Sequence, residues 1–173
     1  MNDNEKINHV FHSLRCHALE DIKRASDGGS KMGAFILCSC LIDALAGFLK
    51  GGDTNNSDYK NFVQNYLSSY NPENLYRDLR CKLVHSYSEG GSYFFTDQNN
   101  SQHLQNYNGK QVINLENFIQ DIESALNNIK SRIQNSHEVV LRQNVIQRYD
   151  NNGVIQIHHQ TGASTSTPQL SGG

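Results

Sequence analysis

The chain is expected to be all-α: an antiparallel bundle of four to five helices with a small inserted β-ribbon and a polar C-terminal extension. Three observations predict this. Apolar residues recur at three- and four-residue spacing in successive stretches up to residue 135. Between residues 92 and 113 the period drops to simple alternation. Beyond residue 136 the chain turns polar and then low in complexity. A length of 173 residues with 36% hydrophobic content suits one core, and a mean hydropathy of -0.63 indicates a large polar surface or tail. The expected division is a helical domain over 1–135, a second hairpin or an extended segment over 136–160, and a disordered tail over 161–173.

The first helix is expected from Asn4 to about Ala25, where Ile7, Val10, Phe11, Leu14, Ala18 and Ile22 form one stripe. Gly28 and Gly29 then suit a helix end and turn. From Met32 to Lys50 apolar residues run almost all the way round, which marks the central buried helix. Its exceptions are Ser39, Asp43 and Gly47, spaced four apart on one edge. An ionised Asp there needs a partner or a rim position, since an unpaired buried charge is very costly, and Arg77 and Arg80 are the candidates. The reading divides between an interhelix salt bridge, a cap for a neighbouring loop, and a place beside an active site.

Asn56 or Ser57 caps a third helix with Tyr59, Phe62, Val63, Tyr66 and Leu67 on one side, ending near Ser69. The fourth, Asn71 to Tyr87, has the clearest start signal, with Asn71 as cap, Pro72 at the first helical position and Glu73 against the positive dipole end. Leu75, Leu79 and Leu83 line its buried face, and the turn at Glu89, Gly90 and Gly91 is expected to stop it. SYFFT, HLQNY and KQVIN are the strand candidates, with Asn108-Gly109 as a two-residue hairpin turn between the last two. Asn114 opens the fifth helix, which runs to about Asn135. EVVLRQNVIQRYDNNGVIQIHHQ alternates around a second turn signal, Asn152-Gly153.

A net charge of -2 and a pI near 6.4 give no global pull toward nucleic acid or anionic membrane, so RNA contact would come from a local basic patch. No run of about 18 apolar residues stands out as a membrane span. The opening MNDNEKINHV lacks a basic region followed by an apolar one, so a soluble, cytoplasmic protein is expected. Cys16, Cys38, Cys40 and Cys81 show no paired spacing and read as reduced thiols. His9, His12 and Cys16 line up at ligand spacing but have no carboxylate in register, so no metal or other cofactor is expected.

The chemistry gathers at the end of the fourth helix, in Arg80, His85 and Tyr87. Histidine moves protons near neutral pH, as base on a ribose 2′-OH or acid on a leaving oxygen. Arginine stays charged and holds phosphate oxygens bidentately as negative charge builds. Tyr87 could orient either group or stack on a base. Residues five apart lie about 140° apart around a regular helix. Arg80 and His85 therefore share a site only if the helix distorts, if the arginine reaches round, or if a second subunit closes the site.

The segment RCKLVHSY resembles the Arg-x4-His-x-Tyr signature of the HEPN superfamily, with Arg80, His85 and Tyr87 on the matching positions and Cys81 where the family usually has a polar residue. The expected helical bundle over residues 1–135 is similar to that fold as well. The resemblance implies a metal-independent endoribonuclease that leaves a 2′,3′-cyclic phosphate and works as a homodimer with a composite site. It implies Arg80 and His85 as catalytic with Tyr87 in support, and the need of Asp43 for a cationic partner adds Asp43 and Arg77 as supporting residues. It also implies a role in toxin–antitoxin, antiphage or other defence systems, with an antitoxin or other protein partner, and in one branch the motif tyrosine is adenylylated. The competing reading is a catalytically inert HEPN-like module that binds RNA, nucleotide or a protein partner. Cys81, the low net charge and the polar tail favour it.

Overall fold

The computed structural model describes residues 1–155 apart from Glu89 and Ser136. They are mostly helical (71%), forming six helices and one three-stranded sheet. The expected tail, 161–173, and residues 156–160 lie outside the described residues.

Helix α1 runs over residues 3–27 as Asp3–Ser13, a widened π-type stretch Leu14–Leu19, and Glu20–Asp27. Asn2 caps it in a reciprocal box with Glu5. Helix α2, Lys31–Lys50, is the central one, and its Phe35, Cys38, Leu41, Ile42 and Leu45 are buried in the core. One expectation needs correcting here. With a mean hydropathy of 2.1, α2 is long and apolar enough to cross a membrane by length and composition, because Ser39, Asp43 and Gly47 interrupt it too sparsely to lower the average. More than half of that stretch is instead buried among the other elements. Gly51, at φ 87, ends α2 in the left-handed conformation that glycine takes without strain.

Helix α3, Asn56–Tyr66, is capped by Asn55, one residue earlier than expected, in a box with Asp58. It stops short of Ser69 because Leu67 leaves the helical region. Helix α4 covers residues 72–86 as Pro72–Asn74, a widened π-type stretch Leu75–Leu83, and Val84–Ser86. The Asn71 side chain accepts the Asn74 N–H as the sequence predicts, and Leu75, Leu79 and Leu83 are buried. The helix is stopped by Tyr87 itself, left-handed at φ 47, ahead of the expected glycine turn, of which Glu89 lies outside the described residues.

The insertion is a mixed sheet in the order β1-β3-β2, with β1 Tyr93–Thr96, β2 Asn106–Tyr107 and β3 Lys110–Asn114. Asn108 and Gly109, both at positive φ, join β2 to β3 as the hairpin signal predicts. β1 lies parallel to β3, with Tyr93 opposite Gln111 and Phe95 opposite Ile113, so the expected ribbon is a three-stranded sheet. Only Asn106 and Tyr107 of HLQNY pair as strand. His103 turns inward instead, its Nδ1 accepting the Asn114 N–H and its Nε2 lying 3.0 Å from the Tyr70 hydroxyl. Asn114 caps helix α5, Leu115–Gln134.

Within the described part of 136–160 the expected hairpin or extended segment is overturned: Val139–Asn152 is helix α6. Leu141, Val145 and Tyr149 fall four apart and pack on the core, with Val145 fully buried. Gly153 stops the helix at φ 69, its N–H bonded to the Tyr149 carbonyl. A left-handed glycine after Asn serves a helix end as well as a hairpin, which is why the dipeptide misled. Helix α6 also finishes α2, since Asn144 Nδ2 donates to the Leu49 carbonyl at 2.6 Å and Arg148 donates to the Gly52 carbonyl.

Candidate functional site

The widened stretch of α4 removes the angular conflict between Arg80 and His85. At Val84 the backbone N–H reaches the carbonyl of Leu79, an i→i−5 bond, and the wider turn that such bonding makes brings residues five apart onto neighbouring parts of one face. Arg80 Nη1 and His85 Nε2 are accordingly in hydrogen-bond contact. A guanidinium only donates, so Nε2 is the acceptor and the ring proton sits on Nδ1. Of the three routes that would let the pair share a site, helix distortion is the one observed, within a single chain.

A second element holds the arginine from behind. Arg80 Nη2 donates to Asp43 Oδ2 of α2 at 3.0 Å, and Thr54 Oγ1, in the loop after α2, donates to Asp43 Oδ1 at 2.6 Å. Asp43 thus has the interhelix ion pair expected of it, with Arg80 rather than Arg77 as partner. Burial works against the charge on Arg80, yet Asp43 holds its guanidinium above its ordinary value. His85 is exposed at the surface end of this row. The local result is a fixed cation beside an imidazole, a pair able to hold a phosphate oxygen and, once Nε2 is released from Arg80, to accept a proton.

Arg77 is engaged elsewhere. Its Nε donates to Asp78 Oδ1 at 2.8 Å and its Nη2 to Ser92 Oγ at 2.5 Å. Asp78, whose side chain is 0% exposed, also accepts the Ser92 N–H at 2.8 Å. Burial pushes that carboxyl up, but the Arg77 and Ser92 hydrogen bonds more than reverse it and hold it below the usual range. The Arg77–Asp78–Ser92 cluster therefore ties α4 to the start of β1. Gly90 belongs to the same cluster, because a Cβ on it would collide with the Asp78 carboxyl. The expected support from Arg77 is thus to the fold beside the site.

Tyr87 is 70% exposed and turned by its left-handed backbone at the end of α4. Cys81, following the motif arginine, lies beside Tyr76; burial and that thiol push the Tyr76 phenol up, while Arg80 and Lys60 pull it down. Cys40 is at the other side of the row, its thiol pushed up by burial and by Asp43. Sequence reasoning missed Thr54, Asp78 and Gly90. A buried Asp flanked by arginines at 77 and 80 was the one available signal among them.

The histidines of α1 separate. His9 Nδ1 is 3.0 Å from the Tyr149 hydroxyl on α6, and His12 Nδ1 is 3.6 Å from Cys16 Sγ. Among the described residues no group of three or more His, Cys, Asp or Glu is gathered to hold a metal ion. Comparison with protein-family models, with curated proteins and with solved structures finds no match to this chain.

Proposed function

We propose that the chain is a HEPN-like, metal-independent endoribonuclease in which Arg80 and His85 do the chemistry, its helices forming the antiparallel bundle of that fold. The observation that carries this reading is the contact between the Arg80 guanidinium and His85 Nε2, at a spacing that an ordinary helix would hold apart. As the Arg80 guanidinium turns to the phosphate it releases His85 Nε2, which takes the proton of a ribose 2′-OH, and the 2′-oxygen forms a bond to phosphorus. The bond from phosphorus to the 5′-oxygen breaks, and that oxygen takes a proton from His85 of the partner subunit, leaving a 2′,3′-cyclic phosphate. Arg80 holds the phosphate oxygens as charge builds on them. The protein works as a cytoplasmic homodimer in a toxin–antitoxin or antiphage role, restrained by an antitoxin or other protein partner.

The test is cleavage of a mixed RNA pool by purified protein with excess chelator. Wild type is expected to cut and to leave cyclic phosphate ends. Arg80→Ala and His85→Ala are each expected to lose about 100-fold or more while remaining folded. Cutting at the wild-type rate by either variant sinks the mechanism. One observation favours the inert binding module as second reading, namely that Asp43 already neutralises Arg80 and weakens its field on an incoming phosphate. Chelator-resistant cleavage that depends on Arg80 excludes that module.

A further inference from the structure

Arg80 is held by two different elements. The widened turn of α4 supplies His85 on one side, and α2 supplies Asp43 on the other. A guanidinium has five N–H donors. One goes to His85 and one to Asp43, so three stay available for phosphate oxygens. Asp43 is itself fixed, because its second oxygen accepts the Thr54 hydroxyl at 2.6 Å, which leaves the carboxylate one orientation toward Arg80. The loop carrying Thr54 is in turn held by Arg148 of α6 at the Gly52 carbonyl.

Without Asp43, a long and flexible arginine side chain has only a surface histidine to locate it, and a small misplacement of a charged group loses much of its catalytic effect. Thr54 bonds to Asp43 and reaches Arg80 only through that carboxylate. We infer that Asp43, oriented by Thr54, is the positioning residue that sets Arg80 against the scissile phosphate. This rests on the ribonuclease reading for its consequence, though not for its geometry.

The experiment has two arms. In the first, Asp43→Asn, Thr54→Val and Thr54→Ser are compared with wild type in steady-state RNA cleavage. Asp43→Asn is expected to lower kcat about 10- to 100-fold with KM changed less than threefold, Thr54→Val to lower kcat by a smaller factor, and Thr54→Ser to restore it. In the second, the ring nitrogens of His85 are followed by NMR in isotope-labelled protein without RNA. Asp43→Asn is expected to shift His85 Nε2 in the same direction as Arg80→Lys, while thermal unfolding shows each variant folded. A His85 signal unmoved by Asp43→Asn overturns the inference, and so does a kcat equal to or above wild type, which would make Asp43 a competitor for Arg80. If wild type does not cut RNA at all, the ribonuclease reading falls, and the NMR arm still decides whether Asp43 places Arg80.

Discussion

Replacing Asp78 by Asn tests whether α4 is anchored as the structure indicates. The wild-type carboxylate, 0% exposed, accepts Arg77 Nε at 2.8 Å, Arg77 Nη2 at 3.4 Å and the Ser92 N–H at 2.8 Å. An amide keeps the shape but carries no charge, and its NH₂ group faces donors. Losing one partner of a buried ion pair costs about 3–5 kcal/mol. Arg77 is 46% exposed and can be rehydrated, so the loss is expected nearer to about 2–3 kcal/mol, the scale of hydrogen bonds to a charged group. For a domain of this size that lowers Tm by about 5–10 °C. The effect has a pH signature whose sign follows from linkage. The folded-state pKa of Asp78 lies below its ordinary value, so its stabilisation is fully present above about pH 5 and is lost as pH falls through the folded pKa. Urea unfolding of wild type and Asp78→Asn at pH 7, and at steps down to about pH 2.5, should therefore show a gap that narrows with acid. A gap under about 0.5 kcal/mol at pH 7, or one that does not narrow in acid, would refute this account of the anchor.

Gly90→Ala places a methyl group against the Asp78 side chain and is expected to destabilise by about 1–3 kcal/mol in thermal unfolding, with Asp78→Gly, which removes the atoms it meets, relieving the clash in the double variant. Val145→Ala should lower stability by roughly 1.5–3 kcal/mol, because the side chain is fully buried against the core. A denaturant midpoint unchanged from wild type would show instead that α6 contributes no packing.

The helices were legible where one face is apolar over several turns, as in α1 and α5, and where the cap is a single strong residue, as at Asn71 and Asn114. Helix α6 was not. Its stripe is short, Leu141, Val145, Ile146 and Tyr149, and the polar residues between them alternate well enough to mimic a strand. The parallel pairing of β1 with β3 was also hidden, because alternation marks a strand without saying which neighbour it takes. At the candidate site the residue types and the Asp43 ion pair could be read from the chain, since a charge on a buried helix demands a partner. Thr54 and Gly90 could not, because each matters only through an atom that folding brings against it.

The five-residue separation of Arg80 and His85 and the widening of α4 are two sides of one arrangement. In a regular helix residues five apart are on different faces, whereas residues four apart share one. A π-type stretch accommodates extra residues at some loss of backbone geometry, and such stretches persist where they serve a site. Deleting the exposed Lys82 would convert the spacing from five to four. The helix could then close to regular i→i−4 bonding while Arg80 and His85 remained neighbours. If the widening exists to align that pair, the deletion variant should be at least as stable as wild type in denaturant. It should also retain the Arg80-dependent NMR shift of His85. If the widening is instead imposed by packing around Leu75, Leu79 and Leu83, removing a residue would pull those buried side chains out of register, at about 2 kcal/mol or more. Marked destabilisation of the Lys82 deletion therefore points to the core as the cause of the widened helix, and retained stability points to the pair.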